Sequence, residues 1–293
     1  MLTAMKKTLS LLFFLNLFVI LQAQVIDDST LMRIETKDGN EFIGYLIRED
    51  SSSIILKTAS YGEILILTDF ILKKTVIQPD RIREGVLWFD NQQSSRYLWS
   101  PNGYGLKQGE GYYQNIWVLY NQVSVGLTDY FSIGAGMVPL FLLGGAATPI
   151  WIIPKFSIPV VKNKFNVGLG VIAGVLAGEE RSKFGIAYGV GTIGSRDNNL
   201  NIGLGYGYTG EGWAEKPIIS LSGMIRVSSK SYLLTENYFI EELALISIGG
   251  RSFVRKVGID YAIVIPFTDD MEGFFAFPFL GITLPFGNSV SNK

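Results

Sequence analysis

From about residue 96 onward the chain alternates large apolar residues with small or polar ones at period two. In Phe165–Val171, Phe165, Val167, Leu169 and Val171 share one face, and Asn166, Gly168 and Gly170 share the other, because successive side chains of a strand point to opposite sides. Leu200–Tyr208 and Phe184–Gly191 read the same way, with their large residues assigned to the outer face. Segments of about ten residues, apolar on one side and small or polar on the other, are the pattern of strands that put lipid outside and a lumen inside.

The connections sharpen this reading. Short turns at Thr128-Asp129, Lys162-Asn163, Arg196–Asn198 and Ser228–Lys230 alternate with longer links at Leu143–Thr148, Gly178–Lys183, Thr209–Lys216 and about Phe239–Glu242. Outer-membrane barrels have the same asymmetry, with tight periplasmic turns and longer outer loops. The strands then fall at 113–127, 130–141, 149–161, 164–177, 184–195, 199–208, 217–227, 231–238, 243–251, 256–266 and 274–286. That is an odd number, and single-chain barrels of this kind close with an even one. Ser95–Ser100 is the expected extra strand, with Pro101–Gly111 as an outer loop, for about 12 strands in all and both ends in the periplasm. Charges at 231–260 blur the alternation and leave counts of about 10 or 14 open. Pro154 and Pro159 remove ladder donors, so a bulge or distorted rim is expected in 149–161.

The N-terminal third reads differently. Lys6-Lys7, an apolar run from Leu9 to Leu21 and Gln22-Ala23-Gln24 follow the order of a secretory signal peptide over 1–23. Residues 29–80 carry five short apolar runs separated by turn signals such as Lys37-Asp38-Gly39-Asn40 and Ser60–Gly62. With Asp38-Gly39, Gly44 and Ile54–Leu56 they resemble small SH3-like or Sm-like β-barrels. Carboxylates outnumber cations between 28 and 80, which disfavours the RNA binding of Sm-like barrels because phosphate would be repelled. This segment is expected to be a periplasmic structural module with a surface for protein contact. Residues 81–94 form a polar linker, 95–286 the barrel, and 287–293 a polar tail.

Composition agrees. Of 293 residues, 48% are hydrophobic and only 17% charged, with 33 glycines, where a soluble domain carries about a quarter charged. The net charge of −1 gives no reason to expect a nucleic-acid partner. No stretch reaches the roughly 20 apolar residues of a transmembrane helix. The chain has neither Cys nor His. Without His, a serine nucleophile lacks its usual base, so no catalytic residues are assigned and no enzyme is expected. No cofactor and no metal site are assigned either. The acidic pairs Glu179-Glu180 and Asp269-Asp270 read as solvated loop charges rather than Ca²⁺ ligands, and the Gly-x-Gly repeats, being mid-strand, are not phosphate loops.

Two sets of residues stand out. By phase, Arg226, Arg251 and Asp260 point into the lumen from neighbouring strands. Charges at that depth are costly unless paired or wet, and they read as a structural ion pair or a selectivity device. Trp99, Tyr112, Tyr113, Trp117, Trp151, Trp213 and Phe286 lie near expected strand ends, where aromatic girdles meet the membrane interfaces.

The run Lys107-Gln108-Gly109-Glu110-Gly111-Tyr112-Tyr113-Gln114-Asn115, followed by Gly126-Leu127-Thr128-Asp129 and the Phe131, Ile133, Gly134, Gly136 spacing, resembles an uncharacterised porin-like family of Gram-negative outer-membrane β-barrels. The resemblance covers 96–286 and implies a barrel in the outer membrane, contacting its lipid, with its N-terminal domain in the periplasm and no catalytic residues to transfer. Such barrels end in an aromatic residue, whereas Phe286 here is followed by Gly287–Lys293. The expected function is a non-enzymatic barrel, either a narrow porin-like channel or a structural scaffold. The alternative is a soluble exported β protein binding an apolar ligand.

Overall fold

The computed structural model describes residues 30–77, 82–83, 86–88, 90–179, 182–268 and 273–287. It divides into two compact units, Met1–Gly85 and Val86–Lys293. The expected signal segment 1–23, part of the linker and the tail beyond 287 lie outside the described residues, as do Glu180 and Asp269-Asp270.

In the first unit the turn signals fall where strands end. Strands β1 (Leu31–Thr36), β2 (Glu41–Glu49), β3 (Ser53–Thr58), β4 (Gly62–Leu67) and β5 (Ile71–Val76) form one antiparallel sheet in the order β4-β3-β2-β1-β5. Gly39, at φ 84°, makes the β1–β2 turn that a side chain would strain. Register shifts at Glu35/Thr36 and Leu46/Arg48 bend the sheet. It curls over Met32, Ile34, Ile54, Leu56 and Ile66. Asp50 organises the β2–β3 turn: the backbone N–H groups of Ser52 and Ser53 donate to its carboxylate at 3.0 and 2.9 Å. Led by the Ser52 N–H, these bonds hold the exposed carboxyl down at about 2.

The second unit is an all-antiparallel barrel of twelve strands. In order they are β6 (Glu110–Ile116), β7 (Tyr120–Gly126), β8 (Phe131–Met137), β9 (Thr148–Val161), β10 (Phe165–Ala177), β11 (Lys183–Gly194), β12 (Asn199–Thr209), β13 (Ile218–Arg226), β14 (Ser231–Ile240), β15 (Leu243–Val254), β16 (Val257–Phe267) and β17 (Phe277–Gly287). Each pairs with the next, and β17 pairs with β6 from Gly281↔Ile116 to Gly287↔Glu110, which closes the ring. The connections 127–130, 162–164, 195–198, 227–230 and 255–256 at one end are all short. At the other, 138–147, 178–182, 210–217 and 268–276 are longer, but 117–119 and 241–242 are tight turns, the second where a longer link is expected at about 239–242. A one-turn helix, α1 (Pro139–Leu143), sits in the first of the long loops. Both the start of β6 and the end of β17 lie at the short-turn end.

The parity argument finds the right number of strands but puts the extra one in the wrong place. The segment expected as a single strand, 113–127, is the β6–β7 hairpin, folded at Trp117-Val118-Leu119 with Trp117 at φ 51° and Val118 at φ 66°. Non-glycine residues in that conformation are uncommon, and no Gly, Asn or Pro occupies the turn to announce it. Ser95–Ser100 is no wall strand. It belongs to a small hairpin bridged at Arg96↔Pro101, with the Tyr97 N–H donating to Ser100 O and the Asn102 N–H to Ser95 O. The charged stretch 231–260 forms two hairpins, because Glu241-Glu242 and Arg255-Lys256 are tight turns, with Glu241 at φ 52° and Arg255 at φ 56°. Its one gap in pairing is at Glu236-Asn237, where Ser247 and Asn237 side chains bridge the strands. The proline-bearing strand β9 carries the expected irregularity: its register shifts between Pro159 and Val161, and its pairing with β10 skips Ile153 and Pro154.

One strand is inverted relative to the sequence reading. The pairs Asn166↔Thr192, Gly168↔Val190, Gly170↔Tyr188 and Gly174↔Phe184 put the large residues of β11 on the lumen side. Its small residues face outward beside Leu204 and Ile202 of β12, through Gly189↔Leu204 and Gly191↔Ile202. The glycines of β10 make the room: a Cβ on Gly170 would meet the Tyr188 hydroxyl at 2.4 Å. Size alone could not assign the face, since the bulk of one strand is set against the glycines of its neighbour.

Candidate functional site: a filled lumen

The segment from Asn91 to Leu106 enters the barrel from the short-turn end and fills it. Gln93, Arg96, Tyr97, Leu98, Asn102 and Tyr104 are all buried. Irregular backbone survives at such depth only where protein or cavity water satisfies its polar groups, and here the wall supplies the partners. Glu236 on β14 accepts the N–H groups of Trp99 and Ser100, both at 3.0 Å. Arg251 on β15 donates to Gln93 O at 2.9 Å and to Tyr97 O at 2.5 Å. Lys155 on β9 donates to Tyr104 O at 2.6 Å and Ser95 O at 3.4 Å. Thr192 on β11 accepts the Gly103 N–H at 2.7 Å, and Gln114 on β6 donates to Leu98 O at 3.0 Å.

At the centre lies a buried ion triad. Arg251 and Asp260 are cross-strand partners on β15 and β16. The guanidinium reaches both carboxylate oxygens, Nε to Oδ1 at 2.5 Å and Nη2 to Oδ2 at 3.3 Å. Arg96 of the plug donates to the same carboxylate at 2.9 Å and to Thr283 of β17 at 2.5 Å. Arg251 and Asp260 have no exposed surface, and Arg96 keeps 2%. Removing one partner of such a buried group is costly, because it leaves an uncompensated charge. Gly258 of β16 helps to seat the plug: a Cβ there would lie 2.0 Å from the Gln93 amide.

Of the three lumen charges read from the sequence, Arg251 and Asp260 meet, and Arg226 does not join them. Arg226 clasps the short-turn rim, paired with Asp197 at 3.0 Å, donating to Ser228 O and Ser229 O, with its guanidinium over Tyr232 and Trp88 at 5.3 and 4.8 Å. Sequence reasoning missed Arg96, Glu236 and Lys155. Arg96 was assigned to a wall strand. Lys155 shares its phase with Trp151 and Ser157, a signal that the prolines beside it obscured.

The aromatic residues also divide. Trp151 and Tyr112 are not girdle residues, because both point into the lumen and are buried. Trp151 stacks on Tyr120 with centroids 4.7 Å apart and donates to Gln122 at 3.2 Å, and Tyr112 lies over Arg96 at 5.5 Å. Trp99 belongs to the plug, edge-on to Tyr120 at 5.6 Å. Trp117 lies at the β6–β7 turn, donating to Pro278 O at 2.8 Å and packing on Phe277 and Phe279. Trp213, in the loop after β12, packs tilted on Tyr208, Tyr113 bonds Asn121 beside the β6–β7 turn, and Phe286 sits near the end of β17 over Gly111.

Two spaces remain around the plug. A polar vestibule of about 720 Å³ includes Asp90, Ser94, Lys107, Asp129, Asn166 and Arg196 in its lining. A second cavity of about 320 Å³ lies between the plug and the wall, with Trp99, Ile153, Ile172, Ile186, Tyr188 and Tyr238 among its lining residues.

No protein-family model matches the chain, and no curated protein matches it. Among solved structures, the chain is similar to Salmonella typhi OmpF in complex with daunomycin, at 7% identity and a TM-score of 0.33, over 88% of this chain and 95% of that one. It is also similar to OmpT, an outer membrane protein of Vibrio cholerae in its trimer form, at 10% identity and a TM-score of 0.30, over 88% of this chain and 96% of that one. Likeness this slight adds nothing to what the barrel itself shows.

Proposed function

We propose that the chain is a non-enzymatic outer-membrane β-barrel of Gram-negative type whose lumen is held shut by its own preceding segment. It serves as a structural or ligand-holding barrel rather than an open pore. The observation that carries this reading is the grip on the plug: Glu236, Arg251 and Lys155, on three wall strands, each hydrogen-bond its main chain. A wall built to conduct would turn these groups to water.

The membrane part of the reading rests on the exterior. Ile193, Leu200, Ile202, Leu221, Ile248, Ile263 and Leu280 all lie exposed on the outside of the barrel, and soluble monomers rarely expose contiguous apolar patches beyond a few hundred Å². Both ends of the barrel lie at the short-turn end, which outer-membrane barrels keep in the periplasm. Residues 30–77 are read as a periplasmic domain with a surface for protein contact. An exterior of this kind argues against the soluble alternative.

Planar-bilayer recording tests the proposal. The full chain is expected to be silent, and deletion of residues 92–106 to give steady conductance. Steady ohmic conductance of the full chain would restore the narrow-channel reading.

A further inference from the structure

We infer that the 320 Å³ lumen cavity is a binding site for a small apolar molecule with a single carboxylate head, and that the head is received by Lys155 and Tyr188. The cavity is at the small end of the 300–1,000 Å³ typical of ligand pockets. Ile153, Ile172 and Ile186 line it from three consecutive strands, and Trp99 of the plug adds an aromatic surface. Such walls favour a compact hydrocarbon or fused-ring body over a sugar or peptide.

The head group is chosen by the polar groups in that lining. The Lys155 ammonium carries three donors, and two of them reach the plug carbonyls of Tyr104 and Ser95. Arg251 and Arg96 share Asp260, and Arg226 has Asp197. Lys155, at 6% exposure, has no ion-pair partner among the described residues. A buried cation without a counter-charge is costly. Beside it, the Tyr188 hydroxyl is buried and has no hydrogen-bond partner. The two are brought together by register: Lys155 and Tyr188 flank Gly170 from either side, and the Tyr188 hydroxyl reaches over that glycine. A carboxylate is an acceptor with two oxygens. It can take one bond from the ammonium and one from the phenol, and it supplies the missing negative charge. An ammonium-headed molecule would be repelled, and a neutral one could accept a hydrogen bond but would supply no counter-charge.

The test uses the full chain in zwitterionic detergent and three matched probes, 2-naphthoate, 2-naphthol and 2-naphthylmethylamine, with binding followed by equilibrium dialysis and Trp fluorescence. Naphthoate should bind at one site at least ten-fold more tightly than the amine. Tyr188→Phe should weaken naphthoate by three-fold or more while leaving naphthol within two-fold. Lys155→Met should weaken naphthoate at least ten-fold, and Ile186→Trp, which fills the cavity, should remove binding of all three. Equal affinities for the three probes, or naphthoate binding unchanged in both Tyr188→Phe and Lys155→Met, would overturn the inference. Because Lys155 also holds the plug, heat-modifiable migration of each variant is checked first, and Tyr188→Phe carries the test if Lys155→Met does not fold. Conductance is read separately, so failure here leaves the plugged-barrel reading standing.

Discussion

The two units are both antiparallel β structures, and they are built inside out relative to each other. In the N-terminal sheet the buried side chains include Met32, Ile34, Ile54, Leu56 and Ile66, while charged residues such as Lys57 and Glu63 are exposed. In the barrel the buried side chains include Asn166, Thr192, Asn201, Glu236, Arg251 and Asp260, while Ile193, Leu200 and Ile202 are exposed. A strand of either unit alternates with the same period. What differs is which face is apolar: the sheet turns its largest apolar side chains inward, and the barrel turns polar groups inward and apolar ones outward. The polar interior of the barrel must therefore satisfy itself, and its chemistry concentrates where the plug and the wall meet.

Three experiments bear on that contrast, in falling order of effect. Asp260→Asn removes the one carboxylate shared by Arg96 and Arg251, and breaking a buried ion pair costs about 3–5 kcal/mol. We expect the barrel to lose its resistance to urea by that amount in reversible unfolding from lipid vesicles, and a loss below about 1 kcal/mol would mean that the triad is hydrated. Next, Leu204→Arg on the outer face of β12 should cost about 2–4 kcal/mol if its site is near the bilayer midplane. Leu65→Arg, on β4 of the N-terminal sheet and likewise exposed, should stay within about 0.5 kcal/mol. Similar effects at the two sites would erase the contrast in solvent. The smallest effect concerns Asp50. Its carboxyl is held at about 2 by the Ser52 and Ser53 N–H groups, below the roughly 3.9 of an unfolded Asp. A lowered pKa stabilises the fold above the unfolded value, so the contribution of the turn is complete above about pH 4 and is lost as pH falls toward 2. NMR titration of the Asp50 carboxyl, with Asp50→Ala as reference, checks the sign; a midpoint near 4 would contradict it.

Much of this architecture was legible in the chain. Strand number follows from period two and parity, and phase puts Arg251 and Asp260 on one face. The turn and loop lengths follow their turn residues except at 117–119 and 241–242, which are tight turns at the long-loop end. The bend at β9 follows from proline's missing donor. What could not be read has a common physical cause. The β6–β7 turn is made of Trp117, Val118 and Leu119, which carry no turn chemistry. The inward face of β11 depends on glycines in β10, a neighbour's property rather than its own. The plug reads as a strand because Arg96 and Tyr97 alternate in polarity like wall residues, and only tertiary partners such as Asp260, Thr283 and Glu236 show that they are enclosed. The missed site residues Lys155 and Glu236 have regular phase, but phase cannot say what waits on the inside.

The placement of the plug ahead of β6 constrains the order of assembly. The ring is finished by zipping β17 onto β6, from Gly281↔Ile116 to Gly287↔Glu110, and Arg96 bonds Thr283 in that last strand. The plug lies upstream of one edge of the seam and touches the other, so it must be seated before the seam shuts or be threaded in through the short-turn end afterwards. Closing around a plug already held by Asp260 and Glu236 is the shorter route. The buried polar groups that fix the finished lumen would then also serve as the template on which the barrel wraps, and the final zipping step would double as a check that the interior is complete.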